Sequence, residues 1–226
     1  MLIAVEGMDA SGKATHTKLL AEKLGGVVID FPHYSTPVGH LIKSHLLSEW
    51  KATPRQEMNF GWRQDNQHLD PMVFQCLQTI NRLEKLGDIY AAIHSGKTVV
   101  FDRYWASAVV YGGLDGLDVE WIKKIQAPLP EPDLWLFLDI PPEESLRRRP
   151  ERRDRYEKQP GLMERVRDSY RKLFIENGAE DGSVRSLRKS KWHIIDGMGT
   201  KEEVHARIMA VVEKETGWTP PPSQAA

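Results

Sequence analysis

Near its start the chain carries a short apolar run, Leu2-Ile3-Ala4-Val5-Glu6, followed by Gly7-Met8-Asp9-Ala10-Ser11-Gly12-Lys13-Ala14-Thr15. This is strand, glycine loop and helix start, and it matches G-x-x-x-x-G-K. The glycines let backbone N–H groups turn inward around an anion. The helix N-terminus adds partial positive charge, and Lys13 adds a full one. Residues Gly7 to Thr15 are therefore candidate ligands for the phosphates of ATP, with Lys13 as a catalytic candidate. Ala14 departs from the pattern. A hydroxyl after the lysine normally helps to hold Mg²⁺, and alanine has none. Thr15 is adjacent, but one helical residue rotates a side chain by about 100°.

Two further constellations carry charge that phosphate chemistry could use. Thr98-Val99-Val100-Phe101-Asp102 is a buried run ending in a carboxylate, the pattern that positions Mg²⁺ beside a phosphate loop. Asp102 is thus the metal candidate. Arg103 follows it, and a guanidinium binds phosphate oxygens bidentately. The stretch Arg147-Arg148-Arg149-Pro150-Glu151-Arg152-Arg153-Asp154-Arg155 holds six arginines in nine residues. A charge run is usually a solvated face. Phosphoryl transfer, however, needs movable cations to neutralise charge spreading over the γ-phosphoryl oxygens. Pro150 argues against one continuous helix, and a lid over about residues 147–160 is expected.

The elements that must position these residues read as a repeated strand–helix alternation. Leu2–Glu6, Val27–Phe31, Thr98–Asp102, Leu134–Asp139 and Trp192–Asp196 are apolar and show little alternation, as buried parallel strands do. Helices are expected over Lys13–Leu24, Val38–Glu49, Pro71–His94, Glu120–Gln126, Leu162–Asn177 and Lys201–Thr216. Such an order predicts a parallel α/β sheet with its site at the carboxyl ends of the strands. No internal repeat or linker interrupts residues 1–218, so one domain is expected there. Residues 219–226, with Pro220-Pro221-Pro222, read as a polyproline-like tail.

Composition narrows the classes of function. Thirty-one Lys and Arg balance thirty-two Asp and Glu, so bulk charge suggests neither a nucleic-acid nor a membrane partner. One cysteine, Cys76, allows no intrachain disulfide and suits a reducing cytoplasm. No run approaches the ~18 apolar residues of a membrane span. The strand-like start leaves no room for a signal peptide.

With these residues in view, the chain resembles the thymidylate kinase family. Glu6-Gly7-Met8-Asp9-x-x-Gly12-Lys13 looks like that family's phosphate loop. Phe31-Pro32-His33-Tyr34-Ser35-Thr36-Pro37-Val38-Gly39 is similar to its segment after the second strand. Asn81-Arg82, Asp102-Arg103-Tyr104 and Asp154-Arg155-Tyr156-Glu157 match three further motifs in the family's order. The resemblance implies a P-loop NTPase-type three-layer fold, with a five-stranded parallel sheet flanked by helices and an arginine-rich lid. It also implies ATP with Mg²⁺, a deoxynucleoside monophosphate acceptor such as dTMP, and a homodimer. By resemblance Asp9 accepts from the sugar 3′-hydroxyl, Phe31 and Pro32 line the acceptor site, and Arg82 and Ser107 lie near the base or phosphate. Arg103, Arg155 and Tyr156 complete the substrate-binding set. Ala10 occupies the position where some members keep a catalytic arginine, so this chain looks like the kind whose lid supplies it, with Arg149 and Arg153 as candidates.

The helix expected from Pro71 carries the base reading. Asp70 caps it, and Pro71 occupies its first turn. Val73, Leu77, Ile80, Leu83 and Leu86 form an apolar stripe expected to face the sheet. Gln75, Gln78 and Arg82 fall three and four apart on another face. Gln78 stands where the family has a phenylalanine against the base, and no arginine lies around His33 and Tyr34. Those departures keep open a kinase for another or modified deoxynucleotide, such as 5-hydroxymethyl-dUMP or a purine. Ala14 keeps open an ATP-binding regulatory protein.

Overall fold

The computed structural model describes residues 1–47, 69–150, 156, 161–178 and 190–219. Five strands form one parallel sheet: β1 (Leu2–Gly7), β2 (Val27–Asp30), β3 (Val99–Asp102), β4 (Leu134–Asp139) and β5 (Lys191–Asp196), in the order β2-β3-β1-β4-β5. The helices are α1 (Lys13–Lys23), α2 (Pro37–Leu46), α3 (Pro71–Leu83), α4 (Leu86–His94), α5 (Trp105–Leu114), α6 (Val119–Gln126), α7 (Pro142–Arg148), α8 (Leu162–Glu176) and α9 (Lys201–Thr216).

The strands lack polar alternation because both faces of the sheet are covered. Ala4, Phe101, Trp135, Phe137 and Trp192 enter one core, together with residues of α2 to α6 and α8. Ile3, Val5, Val100, Leu134, Leu136 and Leu138 enter the other, where Leu20, Val204, Ile208 and Val212 of α1 and α9 meet them. The first core is strongly aromatic. Trp135 stacks on Trp192 at 4.5 Å, and Trp105 meets Trp135 edge-on at 4.8 Å. Such pairs add about 0.5–1.5 kcal/mol each beyond area burial.

All five strands lie where the sequence predicts. The helices differ in three ways. The single helix expected over Pro71–His94 is two, because α3 closes at Glu84 and Lys85 leaves helical geometry with φ −97° and ψ 1°. Helix α5 carries almost no amphipathic signal, since Trp105 to Val110 are all buried. Helix α7 occupies the start of the expected lid. Its signals were there: Pro142 near the start, Glu143 and Glu144 in the first turn, Arg147 and Arg148 in the last. The final residues expected of α2, at 48 and 49, and the tail from Pro220 lie outside the described residues.

In helix α3 the expected stripe packs on the core at Val73, Leu77 and Leu83, with Leu86 of α4, but not at Ile80, and polar residues join the inward side. Ile80 is 44% exposed, while Phe74, Gln75, Thr79, Asn81 and Arg82 are buried. The helix packs on α2, α5 and α6 rather than lying chiefly on the sheet. Its buried side is therefore the wall of a polar cavity. Asn81 fixes it there, accepting from the His33 backbone N–H at 2.7 Å and donating to the His33 carbonyl at 3.1 Å and Thr36 Oγ1 at 2.8 Å.

Candidate active site

The glycine loop bridges β1 and α1 at the carboxyl edge of the sheet. Gly7 has φ 153°, and a Cβ there would lie 2.6 Å from Ser11 Oγ and 2.9 Å from the Leu138 carbonyl oxygen, so only glycine fits. Gly12 opens α1 with φ 99°. Lys13 is buried and donates Nζ to the Met8 carbonyl at 2.7 Å. Burial, aided by the neighbouring Arg103 charge, pulls its ammonium down to about 8 despite Asp9, Asp102 and Glu6. Ala14 and Thr15 are exposed and line the same cavity as Lys13, whose volume is about 620 Å³. Ser11 Oγ instead points inward, buried without a partner.

Arg103 stands at the end of β3 in the left-handed region, φ 64°. A side chain other than glycine is uncommon there, and such strain concentrates at functional sites. Its backbone N–H is held by the Val5 carbonyl at 2.9 Å. Its guanidinium donates Nη2 to Asp9 Oδ1 at 2.8 Å and Nη1 to the Gly7 carbonyl at 2.9 Å. Asp9 is partly enclosed, which alone would raise its pKa. The charges of Arg103, Lys13 and Arg149 overcome this and hold its carboxyl well below the usual range.

Beneath Arg103 lies a sealed polar network. Glu6 is fully buried and accepts from the Tyr104 N–H at 2.7 Å, from Ser107 Oγ at 2.7 Å and from Tyr170 Oη at 3.1 Å. Burial raises the Glu6 pKa, while Ser107, Arg103, Tyr104 and Tyr170 oppose the rise. The network explains Ser107: its hydroxyl supports the floor of the site and is spent on Glu6. Tyr170 ties α8 into the same floor. Arg167 and Arg171 fasten α8 again, donating to Asp139 at 2.6 and 2.5 Å.

A second cavity, of about 130 Å³, opens on the other side of Arg103. Its walls include Phe31, Pro32, Phe74, Gln78, Arg82 and Tyr156. Asp9, Phe31, Pro32, Tyr34 and Arg103 line both cavities. Arg82 is 2% exposed, sits 5.9 Å over the Phe31 ring and donates to the carbonyls of Gln78 and Tyr104 at 3.1 and 3.0 Å. Burial pulls it down to about 10, against the pull of Glu6 and the two tyrosines. Tyr156 donates to Asp115 Oδ2 at 2.6 Å, and its ring lies 4.9 Å from that of Tyr111.

A description of thymidylate kinase as a family matches residues 5–208 of the chain. The chain belongs to the thymidylate kinase family. It is 30% identical over 219 residues to the thymidylate kinase of Schizosaccharomyces pombe, spanning 93% of this chain and 90% of that protein. It is 31% identical over 221 residues to the probable thymidylate kinase of Thermococcus onnurineus, spanning 95% and 98%. Among solved structures, the thymidylate kinase of Candida albicans superposes with a TM-score of 0.69 at 25% identity, over 95% of this chain and 92% of that one.

Within that family frame, the structure brings together most of the expected site. Gly7 to Thr15, Phe31, Pro32, Gln78, Arg82, Asp102, Arg103, Ser107, Arg149 and Tyr156 all surround the paired cavities or the loop between them. Arg149 follows α7, its Nη2 3.8 Å from Asp9 Oδ2. Arg153 and Arg155 lie outside the described residues. Sequence reasoning passed over three contributors. Arg148 donates to the Gly197 carbonyl at 2.9 Å and pairs with Glu144 at 2.6 Å, so it is an anchor rather than a mobile lid charge. Asp30 pairs in register with Asp102 across β2 and β3 and lines the phosphate-loop cavity beside it. Gln75 is the third. Asp30 had a signal, since it also ends a strand; Gln75 shared its helical face with Gln78.

The donor set suits Mg²⁺. Asp102 and Asp30 supply hard carboxylate oxygens at the cavity that Lys13 and Thr15 also line. No group of three or more His, Cys, Asp or Glu that could hold a metal occurs among the described residues. Mg²⁺ commonly uses one or two carboxylates with water and substrate phosphates for the rest of its shell.

Proposed function

We propose that the protein transfers the γ-phosphoryl group of ATP to dTMP, giving ADP and dTDP, as one kinase domain over residues 1–218. The observation that carries this reading is the pair of cavities meeting at Asp9 and Arg103, one walled by the phosphate loop and the other by aromatic and polar side chains. ATP phosphates fit the first, dTMP the second. An oxygen of the dTMP phosphate attacks the γ-phosphorus as the bond to the ADP oxygen breaks. Lys13 and the loop N–H groups hold the donor phosphates, and Arg103 holds the acceptor phosphate in line. Asp9 keeps Arg103 oriented and accepts from the sugar 3′-hydroxyl. Arg149, with Arg153 and Arg155, brings positive charge to the transferring group.

Asp102 would hold Mg²⁺, with Asp30 alongside, directly or through water. When bound, the ion neutralises charge on the β- and γ-phosphate oxygens. Leu41, Met72 and Ile80 are exposed on α2 and α3, which supports a homodimer that covers them. A single cysteine supports a cytoplasmic setting.

The test is ADP release on mixing the protein with ATP, Mg²⁺ and dTMP. Turnover that depends on dTMP is expected. ADP release indifferent to dTMP and every other deoxynucleoside monophosphate would overturn the reading.

A further inference from the structure

The acceptor cavity contains a polar group that the reaction does not use. Gln75 is 1% exposed, and its Oε1 is buried with no hydrogen-bond partner. Leaving a buried carbonyl oxygen unpaired costs roughly 1–3 kcal/mol. The carboxamide packs where α5 carries Gly112. A Cβ at that glycine would stand 2.6 Å from Ile122 Cδ1, 3.1 Å from Gln75 Nε2 and 3.2 Å from its Cδ, so it would press on both side chains. The absence of a side chain on α5 thus makes the room in which this amide sits.

Several other polar groups of the wall are engaged elsewhere. Ser107 Oγ donates to Glu6, Tyr156 Oη to Asp115, and Arg103 to Asp9 and Gly7. The half-buried Gln78 amide also lines the wall, but the deeply buried groups with capacity are two: the Gln75 amide and Arg82 Nε, which is also buried without a partner. Both stand on α3 seven residues apart, which places them two turns apart on one helical face.

A carboxamide presents an acceptor and a donor side by side. The imide edge of thymine presents the complement, an N3–H beside a carbonyl. On the reading that the acceptor is dTMP, we propose that Gln75 determines specificity by pairing with this edge. Oε1 accepts from N3–H and Nε2 donates to the adjoining carbonyl. Arg82 Nε can only donate, so it selects a base carrying a carbonyl. Cytosine, with an amino group at that corner, offers it a second donor. Gln75 touches the base and not the reacting phosphates, so its effect falls on binding of the acceptor.

The experiment is a binding cycle. Binding of dTMP and 3-methyl-dTMP is measured by titration calorimetry with the full chain, as wild type and as Gln75→Leu. Steady-state kinetics with dTMP run alongside. Wild type is expected to bind the methylated nucleotide at least ~10-fold more weakly, about 1.4 kcal/mol. Gln75→Leu should bind dTMP ~10-fold more weakly, raise KM in step and leave kcat within ~3-fold. Its remaining penalty for the methyl group should shrink to under ~3-fold, since no bond is left to lose. A variant that keeps the wild-type affinity for dTMP, or the full methyl penalty, would overturn the proposal. A bridging water in place of the base would give that result. Gln75→Met, which keeps the length of the side chain without its amide, should reproduce the loss and serves if Gln75→Leu does not fold. A wild type that turns over dTMP normally while both variants behave like it defeats only this inference; a wild type inert toward dTMP defeats the function on which it rests.

Discussion

Arg103 and Asp9, 94 positions apart in the chain, close a 2.8 Å ion pair on the wall shared by both cavities. The pair holds the guanidinium on the wall between the two cavities. Arg103→Ala and Lys13→Ala should each lower kcat/KM with dTMP by at least ~10²-fold, because each removes a charge from a transferring or accepting phosphate. Near-normal activity in both variants would defeat the site assignment.

The metal prediction turns on which oxygen replaces the one that Ala14 lacks. Asp102→Asn should cut kcat far more than Thr15→Val and shift the Mg²⁺ activation midpoint upward. Asp30→Asn should shift the midpoint with a smaller effect on kcat. Equal losses for Asp102→Asn and Thr15→Val in a Mg²⁺ titration would mean that Thr15 has become the ligand.

Lys13 makes nucleotide binding depend on protons. With its pKa near 8 in the free protein, about half of the molecules carry a neutral amine at pH 8. A triphosphate beside it favours the ammonium, so the complex binds more protons than the free protein does. Calorimetry of ATP binding at pH 8, in buffers of different ionisation enthalpy, should show uptake approaching about half a proton. Uptake should vanish in Lys13→Met. Persistence of the full uptake there would assign the proton to another group.

Arg149→Ala should depress kcat by more than it weakens ATP binding, since its charge is needed chiefly in the transition state. Combining it with Arg152→Ala and Arg153→Ala should deepen the loss. An unchanged kcat in the triple variant would return the run to a solvated basic surface.

Acid should destabilise the fold through His16. Burial, with His205, Arg148 and Lys201 nearby, pulls its imidazole down to about 4. The unfolded chain therefore binds the extra proton first. Stability contributed by the neutral ring is complete above about pH 6.5 and is lost as pH falls toward 4. At pH 5 the loss is about 2 kcal/mol. Urea melts at pH 7 and pH 5 should show a smaller acid loss in His16→Gln; an identical loss would place the acid sensitivity elsewhere.

The strands, the phosphate loop and Asp102-Arg103 were legible because their signals are local: an apolar run, two glycines, a lysine, a terminal acid. Helix α5 was not, because a segment buried all round has no period to read. The inward face of α3 misled for the opposite reason. Phe74, Val73, Leu77 and Leu83 pack on the core, but Met72 and Ile80 face out while Gln75, Asn81 and Arg82 face in, so polar residues share the inward side where the helix lines a polar cavity. The pairing of Asp9 with Arg103 was not legible, because Arg103 follows β3, 94 positions further along the chain. Asp30 ends a strand as Asp102 does, but its place beside Asp102 came only from the register of β2 on β3.

The two anchorages flanking the arginine run have a consequence for engineering. At the start of the run, Arg148 is held by Glu144 and the Gly197 carbonyl; after it, α8 is fastened to Asp139 and Glu6. Stretches bounded by fixed posts behave as cassettes. The residues between Arg149 and Gly161 can be exchanged for those of a relative of equal span provided that Tyr156 is kept, because Tyr156 walls the acceptor cavity and is held by Asp115. With Tyr156 retained, the number and spacing of arginines in the span can be varied between fixed ends.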